Sequence, residues 1–306
     1  MINDKAELLA PAGNFEKLEI AIHYGADAVY LGGKNFSLRN FSENFTFDEL
    51  YEAVSFAHRN NVKVYVTINA YPRNFEIDEF VLYIEVLKKI KPDALIIADV
   101  GVLSLLKETA VDIPIHISTQ TNTTNYKSVI FWKSLGISRV NLARELSLKE
   151  IREIAEKKII EIEIFIHGAM CMSYSGRCLL SGFLTKREAN RGFCSHPCRW
   201  RYYLVEEMRP NEYMPILEDN RGSYILNSKD LCMMEHIPEI IESGINSLKI
   251  EGRMKSIHYL ASVLNVYRDA IDLYYSDKAS YNKKEYWEEE LASVSNRGYC
   301  LSLIHI

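Results

Sequence analysis

Short apolar, β-branched runs alternate along this chain with stretches in which apolar residues recur every three or four positions. Glu7 to Ala10 is the first such run, closed by Pro11-Ala12-Gly13, and Asn14 stands where an N-cap for a helix over Phe15 to Tyr24 belongs. Gly25 stops that helix, and a second strand, Asp27 to Leu31, ends at Gly32-Gly33. The alternation continues with helix Phe47 to Arg59, strand Lys63 to Asn69, helix Ile77 to Ile90 and strand Asp93 to Ala98. Helix Val102 to Thr109, strand Ile113 to Gln120, helix Tyr126 to Leu135 and strand Arg139 to Leu142 come next. Helix Leu148 to Lys157, strand Glu161 to His167 and a last unit, strand Ser247 to Glu251 with helix Ile257 to Tyr275, complete the series.

Regular β-α alternation predicts a parallel sheet with helices outside it. Eight units in about 250 residues favour a closed (β/α)8, TIM-like barrel; an open, doubly wound sheet is the alternative. All eight strands should then run parallel in one ring, with Gly13, Gln120, His167 and Arg253 at the same C-terminal rim. One interval breaks the rhythm. Some 80 residues, Gly168 to Asn246, separate strands seven and eight and hold five of the six cysteines. In a barrel this insertion lies at the end where βα loops build active sites. The barrel, with its 168–246 insertion, is expected to span residues 1–276. Residues 277–306, with a short helix over Glu285 to Leu291, read as a helical linker toward a missing C-terminal domain. The chain is thus expected to be a fragment, and Leu301 to Ile306, with Cys300 in doubt beside them, not to belong to the natural protein.

Composition narrows the class without naming a function. Of 306 residues 48% are hydrophobic and 25% charged, which excludes a disordered chain. With 36 basic against 41 acidic residues the net charge is −5, so any nucleic-acid surface must be a local patch. The longest apolar runs are too short to cross a bilayer, and the N-terminus lacks the basic and apolar regions of a signal peptide. A cytoplasmic protein with no membrane partner is the expectation.

Cys171, Cys178, Cys194 and Cys198 fall within 28 positions, while Cys232 and Cys300 stand apart. Zinc prefers pairs spaced like Cys194 and Cys198, an iron–sulfur cluster tolerates irregular spacing, and a thiol beside His167 or His196 is a candidate nucleophile. Buried, unliganded cysteines are the plain alternative. Spacing leaves these open.

Glu163, Phe165, Gly168, Ala169, Met170 and Cys171, followed by Gly176, Cys178, Leu180 and Ser181, reproduce a long signature. Through it the chain resembles the collagenase-like peptidases of uncertain catalytic type. The similarity continues in ELLAPAG at the start, GADAVYLGG, STQTNTTN, NSKDL, LKIEGRMKS and SNRGY. It is most similar to the branch needed for prephenate-dependent 5-hydroxyuridine at the tRNA wobble position; other relatives hydroxylate ribosomal RNA or the ubiquinone ring. The resemblance implies a 4Fe–4S cofactor, with Cys171, Cys178, Cys194 and Cys198 as ligands and Cys232 as the alternative fourth. It also implies tRNA as partner and prephenate as co-substrate. The family's older name keeps peptide cleavage as an alternative, although no His-Glu-x-x-His helix, Gly-x-Ser-x-Gly elbow or Asp-Thr-Gly pair is found. A non-catalytic scaffold presenting the cluster is a third reading.

Other residues are placed by their positions. A dicarboxylate needs fixed cations at the mouth, and Arg144, Arg253 and Lys255 follow strands six and eight. Glu251 could orient Arg253 or act as a general base, and Gln120 and Asn122 could hydrogen-bond a substrate; ion pairing and loop capping are the structural alternatives. His116 reads as a core histidine, and His167 is the one histidine assigned to catalysis. From Arg177 to Arg201 six basic residues face a single acid, Glu188, with aromatic residues interleaved. Arg187, Arg191, Arg199 and Trp200 are accordingly expected to hold phosphates and stack an unpaired base; an ordinary solvated rim is the alternative.

Overall fold

A computed structural model describes residues 5–34, 36–37, 44–171, 173–200, 204–214, 218–219, 222–223, 229–278, 281, 285–296 and 298–300. Strands β1 (Glu7–Pro11), β2 (Ala28–Leu31), β3 (Lys63–Ile68), β4 (Ala94–Ile97), β5 (Ile115–Ile117), β6 (Arg139–Asn141) and β7 (Glu161–Ala169) pair in order, all parallel. Four short insertion strands come next, as two antiparallel pairs: β8 (Leu204–Glu206) with β9 (Arg209–Met214), and β10 (Glu218–Asp219) with β11 (Gly222–Ser223). After β12 (Asp230–Cys232), β13 (Ser247–Ile250) pairs in parallel with both β7 and β1 and closes an eight-stranded barrel.

Helices α1 (Phe15–His23), α2 (Phe47–Arg59), α3 (Ile77–Ile90), α4 (Val100–Glu108), α5 (Tyr126–Ser134) and α6 (Leu148–Ala155) cover the ring. They are joined by α7 (Leu180–Thr185) in the insertion, α8 (Ile237–Glu242) and α9 (Ile257–Ser276). Asn14, Thr46, Asp99, Asn125, Ser147 and Ser256 cap their helices with a side-chain oxygen, so each starts where the sequence offers a capping residue. Asp99 sets the start of α4 two residues before the expected Val102.

Alternation along the strands divides the interior. Leu8, Val29, Val64, Leu95 and Val140 face the helices and join the main core. Leu9, Ala28, Tyr30, Tyr65, Ala94 and Ile96 fill the barrel itself. Polar residues complete that inner layer. Arg139 Nη1 lies 2.5 Å from Glu7 and 3.7 Å from Glu163, and Lys249 donates to Glu163 at 2.8 Å. Burial works against both charges of the Glu7–Arg139 pair, yet each holds the other ionised. Glu7 ends below the usual carboxylate range and Arg139 above the usual guanidinium value.

Three features depart from the sequence reading. Strand five ends at Ile117, and Thr119–Thr121 turns as a short 3₁₀ segment that carries Gln120. β12 runs antiparallel to the end of β7, pairing Asp230 with Ala169 and Cys232 with His167. Its three residues are too few for alternation to reveal. The segment expected as a linker packs on the barrel: α10 (Glu285–Ser293) buries Trp287 against α9, and β14 (Tyr299–Cys300) pairs with β12. Residues 301–306, which the fragment reading concerned, lie outside the described residues. Among the described residues no helix is long and apolar enough to cross a membrane.

Candidate active site at the barrel mouth

The expected rim residues do share one end of the barrel. A Cβ on Gly13 would lie 2.5 Å from the Arg253 carbonyl oxygen, and Glu251 donates its backbone N–H to the His167 carbonyl at 2.9 Å. Between the strand ends and the insertion lies a cavity of about 140 Å³. Cys171, Cys178, Cys194 and Cys198 all line it from the insertion, together with Ser175 and Gly176. From the barrel come Tyr30, Gln120, Asn141, Arg144, Phe165, Lys249, Glu251 and Arg253.

Each barrel residue is held in place. Arg253 is 3% exposed and donates to Ser37 at 2.8 Å, Thr67 at 3.2 Å and the side-chain oxygen of Asn44. Arg144 reaches the Ser175 hydroxyl at 2.6 Å and the Ala169 carbonyl at 3.0 Å, with its guanidinium over the Phe165 ring. Lys249 lies over Tyr30, 4.4 Å from its centroid, while the Tyr30 hydroxyl donates to the Ile250 carbonyl at 2.9 Å and lies 3.4 Å from the Glu251 carboxylate. Gly176 has φ +76, and a Cβ there would meet the Gln120 amide at 3.0 Å. The glycine in the cysteine signature is thus required both by backbone conformation and by a close neighbour.

The thiols are half-buried, and no disulfide joins any of the six cysteines. Among the described residues no three His, Cys, Asp or Glu side chains group tightly enough for one metal ion. A lone zinc would gather its sulfurs about 2.3 Å from a single point. A 4Fe–4S cluster takes four thiolates, one to each iron around its body. Four half-buried thiols lining one cavity match that second demand in number and kind. The His196 backbone N–H also points at Cys194 Sγ, 3.4 Å away.

Several expected residues stand elsewhere. Cys232 lines a separate pocket with Cys300 and Tyr299, its sulfur 3.8 Å from the Tyr267 hydroxyl. His167 faces the helices, with Nδ1 3.3 Å from the same Tyr267 hydroxyl. The cause is a bulge: β13 pairs Lys249 with Phe165 and then Ile250 with His167, passing over Ile166. The extra residue reverses the alternation and turns His167 outward. Lys255 turns to Asp230 at 3.6 Å and the Ser295 carbonyl at 2.7 Å, and Asn122 ends its turn in a left-handed conformation; neither lines the cavity. His116 is buried against Tyr65 inside the barrel.

On the outer rim, Arg191 is committed to Glu76 at 2.5 Å and Glu188 at 3.6 Å. Arg187 donates to the Phe193 carbonyl at 3.2 Å, and Trp200 is 45% exposed. The Arg199 side chain lies outside the described residues. The sequence reading missed Tyr30, Asn141, Phe165 and Lys249. A lysine inside the apolar run Ser247 to Ile250 was the available signal, since a strand buried on both faces has no solvent side for it.

Residues 13–305 match the profile of peptidase family U32. The chain belongs to that family. Among its U32 relatives, tRNA hydroxylation protein P1 of Bacillus subtilis (strain 168) is 47% identical, over 97% of this chain and 70% of the relative. tRNA hydroxylation protein P of Escherichia coli (strain K12) is 41% identical over 88% of this chain and 68% of its own length. The solved structure of the U32 peptidase Mk0906 has 12% sequence identity and a TM-score of 0.49, covering 80% of this U32 chain and 92% of that one.

Proposed function

We propose that this protein hydroxylates a wobble uridine of tRNA at the barrel mouth, with a 4Fe–4S cluster held by Cys171, Cys178, Cys194 and Cys198. One observation carries the reading: four thiols line one cavity at the barrel mouth in a chain whose 47% and 41% identical relatives are named for tRNA hydroxylation. Such a cluster supplies one-electron chemistry when bound. The chain's own residues supply charge, orientation and proton handling. Arg253, held by Ser37 and Thr67, and Arg144 bring positive charge to the cavity wall, as a dicarboxylate co-substrate such as prephenate requires. Glu251, beside the Tyr30 hydroxyl, is the carboxylate placed to exchange a proton there. Thiols committed to iron are lost to peptide cleavage, and His167, behind β7, is turned away from the thiols a nucleophilic mechanism would need it to activate.

The full chain purified without oxygen is expected to be brown and to hold about four irons. Expressed in cells stripped of their own tRNA hydroxylation genes, it should restore 5-hydroxyuridine, read by mass spectrometry of digested tRNA. Serine at any one of the four cysteines should abolish both. A colourless protein with stoichiometric zinc, or peptide hydrolysis surviving all four serine changes, would overturn the reading.

A further inference from the structure

Two amide side chains on one wall of the cavity carry hydrogen-bonding atoms that the described residues leave unmatched. Gln120 and Asn141 are each 3% exposed, and both line the cavity. The Ser118 hydroxyl donates to Gln120 Oε1 at 3.2 Å, and Asn141 Nδ2 donates to the Glu163 carboxylate at 2.7 Å. A carboxylate accepts and an amide nitrogen donates, so the Asn141 oxygen must face the other way. Left over are Gln120 Nε2, a donor, and Asn141 Oδ1, an acceptor. Both are closed off from water with no hydrogen-bond partner among the described residues. Polar atoms in that state are costly, and a ligand that satisfies them recovers the loss.

We infer that these two atoms read the pairing edge of the target uracil, Gln120 Nε2 donating to the ring carbonyl O4 and Asn141 Oδ1 accepting from N3–H. This rests on the tRNA reading above and adds the residues that choose the base. An imide edge offers an acceptor and a donor side by side, which is the complement of what the wall presents. A carboxylate has no proton to give Asn141 and would meet it acceptor to acceptor. Arg253, held by Ser37, Thr67 and Asn44 beside β2 and β3, lies across the ring from Gln120, which follows β5, and Asn141, which ends β6, so an anion paired with it leaves this wall to the base. A base reaching so enclosed a wall must leave its stack. Cytosine reverses the code, with an amino group in place of O4 and a bare N3, so the same wall sets donor against donor and acceptor against acceptor.

The test compares two anticodon stem-loop RNAs that differ only in uridine or cytidine at the wobble position, with affinity for the iron-loaded full chain read by fluorescence anisotropy. The unaltered protein should favour the uridine loop by roughly tenfold or more, the discrimination expected of two paired hydrogen bonds. Gln120→Glu, nearly isosteric, replaces the donor with an acceptor and should abolish or invert that preference at unchanged iron content. Gln120→Met removes the donor alone; it should lose uridine affinity without gaining cytidine affinity, and it carries the test if the glutamate variant folds poorly. Equal binding of both loops by the unaltered protein, or an unchanged ratio in both variants, overturns this inference and leaves the tRNA reading standing. Failure to bind either RNA overturns both.

Discussion

His167 sits behind β7 against Tyr267, Tyr259 and Tyr299, and burial, with a smaller push from Lys255, lowers its pKa to about 3. An unfolded histidine titrates near 6.5, so between those values the unfolded chain binds a proton that the folded chain refuses. The folded state therefore keeps its stability above about pH 6.5 and loses roughly 1.4 kcal/mol per unit as pH falls toward 3. His116 shifts the same way, first by burial and then by the charges of Arg139, Lys249 and Lys63. Thermal unfolding at pH 7 and pH 5 should show the loss, and His167→Phe, which keeps a ring in place, should remove about half of it. An unchanged pH dependence in that variant would show that His167 is not the group. The place of single residues was legible where a motif sets the spacing, as for Cys171, Cys178, Cys194 and Cys198, which line one cavity. It was hidden where burial decides, as at His167.

At the scale of elements, the strands and helices followed from period and capping, and α2 and α3 keep their expected limits. The bulge in β7 did not follow. Ile164 and Ile166 are both apolar, so the sequence carries no mark of the extra residue that turns His167 away. Helix α7 is another element whose meaning appears only in three dimensions. Leu179, its N-cap, and Phe183 stand one turn apart and are 84% and 78% exposed. So little apolar area is covered there that alanine at both positions should leave the melting temperature within about a degree. If this face stacks unpaired bases, as its place beside Arg177 and Lys186 suggests, the double variant should weaken stem-loop binding by about 1–3 kcal/mol for the lost aromatic contact. Unchanged binding with unchanged stability would leave α7 as solvated surface.

For the molecule as a whole, eight repeated βα units made the barrel legible, whereas its charged interior was not. Glu7, Arg139, Glu163 and Lys249 lie on four strands spread along the chain, and only closure of the ring brings them together. The rim likewise needed the folded chain to sort its cations. Arg191 is spent on Glu76 and Glu188, whereas Arg177 and Lys186 are exposed in a protein of net charge −5. Alanine at Arg177 and Lys186 should each lower the slope of log affinity against log salt for tRNA by about 0.7 to 0.9, while Arg191→Ala should leave it nearly unchanged. Equal effects at all three would return the rim to a uniform basic field. The antiparallel return of β12 along β7 bears on the history of the molecule rather than on its chemistry. Ala169 and Asp230 are held as register partners, so the chain between them, most of the insertion, leaves from and returns to the same strand. Beyond its four cysteines and the residues that line the cavity, the segment between those partners can lengthen, shorten or be exchanged while the barrel keeps its shape, so descendants can acquire new recognition surfaces without inventing a new scaffold.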